Sequence, residues 1–181
     1  METTKPNQGG IAFKWALINV IASIVITYVF QLLGTDISAP SRYLAYIPFI
    51  AFLCLAQMEY RGKLSGFMTY GQGFVEGLLY GVFSGLMMAV FIYVYYSFLY
   101  PAAIDQIVAS ARDSMVAKGT PSDQMDTALD VTRKYGAIFG AVGALFVTPI
   151  FAMIVALITA AIYKKEPTIT DIENQQNDPA V

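Results

Sequence analysis

Acid–base, metal and nucleophilic chemistry each need particular side chains, and this chain is short of them. Its 181 residues include no histidine and a single cysteine, Cys54. The commonest general base and the commonest metal ligand are therefore missing, and no intrachain disulfide can form. The serines have no histidine partner. There is no G-x-S-x-G elbow, no metal-ligand cluster and no phosphate loop followed by Lys-Ser or Lys-Thr. Gly71-Gln72-Gly73 is too short for a nucleotide fingerprint. No catalytic, cofactor-binding or metal residue is assigned, no cofactor is implied, and a non-enzymatic protein is expected. A net charge of −2 with no basic run longer than two residues leaves no footprint for nucleic acid.

The remaining chemistry-bearing residues fall into rows. Asn19, Ser23, Thr27 and Gln31 recur every fourth residue, either as hydrogen-bonding glue between helices or as one wall of a hydrophilic path. Glu76 is the acidic residue nearest to an apolar interior. With Lys14 and Arg61 on the same side, it is expected to form an interfacial ion pair, with Lys14 as the partner; proton or cation handling is the alternative. A helix N-terminus there favours its negative charge. Two small-residue rows complete the set: Gly73, Gly77, Gly81 and Gly85, continued by Ala89, and Gly136, Gly140, Ala144, Thr148, Ala152, Ala156 and Ala160. Glycine at every fourth position, a glycine zipper, lets a second backbone approach closely. The partner is another helix of the same chain, the second row being available for it, or another copy in a homo-oligomer, around a pore. Each four-residue step overshoots a turn by about 40°, so one straight partner cannot cover the whole second row.

The elements that must carry these rows are set by the charge pattern. The composition is 56% hydrophobic and 13% charged, against about 25% charged in an average soluble domain. Windows 15–33, 43–58, 77–99 and 137–163 contain no Asp, Glu, Lys or Arg. Crossing a hydrocarbon layer of roughly 30 Å takes about 20 apolar residues. Three windows reach that length, and Arg42 and Arg61 can snorkel outward to extend the second. The fold expected is all-α and polytopic, with four transmembrane helices at about 14–33, 42–60, 72–100 and 136–163. A polar N-terminal arm (1–13) precedes this membrane domain (14–163), and a disordered polar tail (164–181) follows it. Gly34-Thr35-Asp36 ends the first helix, Pro40 lies in the next loop, and Pro48 invites a mild kink. Residues 93–100 form an aromatic belt, with Trp15 at the opposite interface. An extramembrane amphipathic hairpin (101–135) joins helices 3 and 4. Its apolar positions are Ile104, Ile107, Val108, Ala111 and Met115, then Met125 and Leu129, with a break at Gly119 and a capping box at Thr120–Asp123. The first helix is read as a retained signal anchor. Lysine and arginine counts barely separate the two sides, and their weighting near helix ends favours cytoplasmic N- and C-termini.

Tyr60-Arg61, then Gly66-Phe67-Met68-Thr69-Tyr70-Gly71-Gln72-Gly73-Phe74 leading into Gly77, Tyr100-Pro101, and the close on Ala160-Ala161-Ile162-Tyr163-Lys164-Lys165 together resemble DUF4199, a family of bacterial integral membrane proteins of unknown function. The resemblance covers roughly residues 11–166. It implies a bacterial inner membrane and four helices, and supplies no substrate, reaction or site residue. The expected partners are the lipid bilayer and either a second copy or another membrane protein. An interaction, assembly or regulatory role is expected, the 101–135 hairpin offering its apolar face as docking surface or membrane seat. A small oligomeric channel or transporter, lined by helix 1, is the alternative.

Overall fold

The computed structural model describes residues 6–33 and 46–168. Within them the chain is helical: α1 (Gln8–Leu32), α2 (Tyr46–Lys63), α3 (Tyr70–Val94), a π-helical turn (Tyr95–Leu99), α4 (Ala102–Ala117) and α5 (Ser122–Tyr163). The turn at 34–36, the loop with Pro40 and Arg42, the first residues of the expected second helix and the tail beyond 168 lie outside the described residues.

Local chemistry moves several boundaries. α1 begins at Gln8, not at residue 14, because the Asn7 side chain accepts a hydrogen bond from Gly10 N–H at 3.0 Å. That is an N-cap, and it makes half of the expected polar arm helical. Pro48 is the third described residue of α2. α2 runs on to Lys63, and Ser65 and Gly66, at φ +57° and +84°, turn the chain back. The capping box expected at Thr120–Asp123 is not formed: Pro121 caps α5 with no side-chain bond. A capping box stands instead at α3, where Thr69 Oγ1 accepts from Gln72 N–H (3.3 Å) and Gln72 Oε1 accepts from Thr69 N–H (2.9 Å).

The expected separation between hairpin and last helix is also corrected. α5 is one helix of 42 residues, about 63 Å long. It continues through Gly136 because that glycine serves packing: a Cβ there would lie 3.0 Å from Ile104 Cδ1 of α4. α4 ends where Gly119 takes a φ of +68°. Thr120 N–H then reaches the Met115 carbonyl and Gly119 N–H the Val116 carbonyl, both at 3.0 Å, a Schellman stop. α4 folds back on the first part of α5 and buries Ile104, Val108 and Leu129 among Tyr96, Ile107, Ala111, Met115 and Met125. The apolar face expected to serve as docking surface or membrane seat is thus covered by the chain's own α5.

α1 and α3 run in one direction, α2 and α5 in the other. Lys14 of α1 meets Glu59 near the end of α2, Gln8 reaches Gln72 at the start of α3, and Gly73 faces Ala160 near the end of α5. Among the described residues, three helical stretches are long and apolar enough to cross a membrane: Gln8–Phe30, Tyr70–Leu99 and Ser122–Tyr163. α2, with 18 described residues, carries Glu59, Arg61 and Lys63 in its last turns. The exterior of the bundle is apolar, with Val25, Leu86, Val90, Phe146, Val147, Ile154 and Ile158 all exposed. Soluble monomers rarely expose such continuous apolar surface.

Candidate functional site

The tightest structure in the molecule is the α3–α5 seam. Gly73 faces Ala160, with 3.1 Å between the Ala160 methyl and an added Cβ. At Gly77 the same distance, to Ala156, is 2.5 Å, and at Gly81 an added Cβ would overlap the Ala152 methyl. A Cβ added at Gly85 would lie 3.0 Å from Pro149 Cδ and 3.2 Å from the Ala144 carbonyl oxygen. Ala89, next in register, is half-buried. The α5 row divides as its rotation requires: Ala152–Ala160 meet the glycines, Gly140 meets Ile92 and Tyr96, and Gly136 meets α4.

Behind this seam lie buried polar side chains. Asn19, Gln57, Glu76, Ser84 and Thr159 are all under 9% exposed. Thr159 and Thr27 donate to carbonyls of their own helix, Val155 and Ser23. Gln57 Nε2 donates to the Gly73 carbonyl at 2.9 Å. Asn19 Oδ1, Gln57 Oε1, Ser84 Oγ and both oxygens of Glu76 have no hydrogen-bond partner among the described residues. Of the row on α1, then, Asn19 faces the interior, Ser23 and Thr27 are half-buried, and the Gln31 side chain lies outside the described residues. Tyr80, fully buried between α2 and α5, donates its hydroxyl to the Phe49 carbonyl at 3.0 Å.

The expected Lys14–Glu76 ion pair is not made. Lys14 pairs with Glu59, which also accepts from Trp15 Nε1 at 2.8 Å and has Lys63 Nζ at 3.7 Å. Arg61 closes a different contact: Nε donates to the Gly66 carbonyl (3.1 Å) and Nη1 reaches the Tyr163 carbonyl (3.5 Å). Beside it, the backbones of Met68 and Lys165 exchange two bonds of 2.9 Å. The expected free tail is therefore fastened at Lys165, whose ammonium also sits 5.1 Å from the Phe67 ring centroid. Sequence reasoning passed over Gln57, Ser84, Glu59 and Tyr80. Gln57 and Ser84 do carry a signal, being among the few polar residues within charge-free windows.

At the other end the aromatic run splits. Tyr95 is buried and packs on Tyr28, Phe91 and Tyr100, while Tyr93 and Phe98 point outward. The π-helical turn, closed by Tyr100 N–H on the Tyr95 carbonyl at 2.8 Å, rotates the chain into α4. Between α4 and α5 opens a cleft of about 480 Å³, floored by Val108 and Leu129 and edged by Asp105, Arg112, Asp126 and Arg133. Asp105 and Arg133 already pair across it at 3.6 Å.

Long apolar helices packed with their small and polar residues inward define a helical protein built for membrane association. The chain belongs to a family described as a protein of unknown function (DUF4199), whose model matches residues 14–165. No curated protein and no solved structure matches the chain.

Proposed function

We propose that the chain is a four-span protein of the bacterial inner membrane, with α1, α2, α3 and the second half of α5 as the spans and both termini in the cytoplasm. The observation that carries the reading is the inverted polarity of the bundle: Asn19, Gln57, Glu76 and Ser84 lie inside, while the exposed side chains of α3, of α1 beyond Lys14 and of α5 beyond Lys134 are apolar. α2 joins the spans because Arg61 and Lys63 at its end extend a short apolar stretch to the interface. α4 and the start of α5 form a hairpin outside the bilayer. The role is interaction, assembly or regulation in the membrane, not catalysis; the packing of the α3–α5 seam supports this, since it spends the glycine row on rigidity. Cross-linking in native membranes followed by mass spectrometry is expected to recover a second copy or another membrane protein. Recovery of the monomer alone at all cross-linker concentrations overturns the assembly role.

A second reading, a small channel or transporter, is favoured by the unpartnered oxygens behind the seam. Cysteines placed at 19, 23, 27 and 31 in a Cys54→Ser background distinguish the two. Labelling along that row by a membrane-impermeant thiol reagent supports a water path, and uniform protection eliminates it.

A further inference from the structure

Glu76 is a fully buried carboxylate, and the described cations of α1 and α2 at its end of the bundle have other partners. From α1, Lys14 is bonded to Glu59. The Gln8 amide gives one hydrogen to the Gln72 carbonyl at 2.9 Å and turns its other, uncharged, N–H toward Glu76, which leaves the carboxylate's charge unbalanced. From α2, Lys63 is turned to Glu59 and Arg61 to the Gly66 and Tyr163 carbonyls. Glu59 itself adds a second negative charge near Glu76, and Tyr60 is another titratable neighbour on that helix. Both Glu76 oxygens lack a partner among the described residues, and so does Gln57 Oε1. Gln57 is anchored on the same stretch of α3: its amide nitrogen bonds the Gly73 carbonyl and lies 3.2 Å from the Cβ position of Gly77. These three oxygens are acceptors, and in a low-dielectric interior each unmet acceptor carries a desolvation cost. Gly73 and Gly77 bracket Glu76 within about one turn of α3, and a cation is the group that would answer both a buried negative charge and a neighbouring carbonyl acceptor.

We propose that Glu76, with Gln57, binds one small monovalent cation, a proton or an alkali-metal ion. A proton would be held on the Glu76 carboxyl with the Gln57 carbonyl to accept from it; an alkali ion would be ligated by the same oxygens. The site does not depend on the assembly role proposed above. Trp15, the single tryptophan, reports on it, because its indole bonds Glu59 on the neighbouring helix turn. The test uses the full chain in lipid nanodiscs, following Trp15 emission and Tm. In one arm, Na⁺, K⁺ or Li⁺ replaces N-methylglucamine at fixed pH and ionic strength. In the other, pH is varied without alkali ions. An alkali site gives a saturable emission change and a Tm rise of roughly 5 °C. A proton site gives a pH midpoint insensitive to the alkali ion. In either case the response is lost in Glu76→Gln. Should that variant not fold, the required result is an affinity about tenfold weaker in Gln57→Leu. Flat wild-type titrations in both arms, or a response that survives substitution of Glu76, overturn the proposal.

Discussion

At Gly81 the α3 and α5 backbones meet with no room for a methyl group: its Cβ position overlaps the Ala152 methyl and lies 3.3 Å from Pro149 Cα. Gly143, on the same long helix α5, has nothing within 4 Å of its Cβ position. Gly81→Ala is therefore expected to lower stability by about 1–3 kcal/mol through overpacking. Gly143→Ala is expected to be neutral or to gain up to about 1 kcal/mol of helix propensity. Thermal unfolding of both variants in one detergent checks the pair, and equal effects would show that the seam is not the rigid contact described. At this scale the sequence was readable where periodicity decides. Four glycines in one register have one economical use, and the alanine row on α5 supplies the complement. The partner of Lys14 was not readable, since Glu59 and Glu76 lie at the same end of the bundle and only the rotation of α2 about its axis selects between them. That rotation is set by packing of Phe49, Leu53 and Ala56, which no local pattern reveals. The outcome is modest in energy, because the Lys14 side chain is 49% exposed and such pairs contribute about 0–1 kcal/mol.

α4 and the first turns of α5 form an element pair with its own small core, separate from the seam. Leu129 is 7% exposed and packs on Ile104 and Val108. Leu129→Ala is expected to cost about 2–4 kcal/mol within this pair. Amide exchange over residues 102–117 should accelerate while the seam residues 149–160 stay protected, because local opening follows the contacts that are lost. Simultaneous acceleration in both regions would show that the head and the seam open as one unit. The amphipathic spacing of 104–115 was legible, and so was the stop at Gly119. What the spacing left open was the surface that its apolar face would meet. A helix of this composition can lie on a bilayer, bind a partner or fold back on its own chain, and the choice depends on the unbroken course of α5 through Gly136. Gly136 reads as a breaker by propensity; in the structure it admits the Ile104 side chain.

At the scale of the whole molecule, the proposed membrane arrangement divides α5 between two solvents. Tyr163 stands beside Lys164 and Lys165 at the charged end. Counting back about 20 residues, roughly 30 Å, places the hydrocarbon between about 143 and 163 and its midplane near Ile154. The preceding turns, with Asp123, Asp126, Asp130, Arg133 and Lys134, then stand in water. Ile154 and Val131 are similar in exposure, at 52% and 41%, so surface position alone predicts similar tolerance of charge. The membrane reading predicts the opposite. Ile154→Arg is expected to raise the insertion free energy by about 2.5–3.5 kcal/mol, the cost of arginine at mid-depth, whereas Val131→Arg should change stability by no more than about 0.5 kcal/mol. Membrane-integrated yield after carbonate extraction, followed by unfolding of the integrated fraction, measures both. A large loss for Ile154→Arg alone fixes the bilayer on the second half of α5. Equal tolerance at both sites would mean that this half of α5 is not lipid-facing, and that the apolar exterior is instead covered by protein.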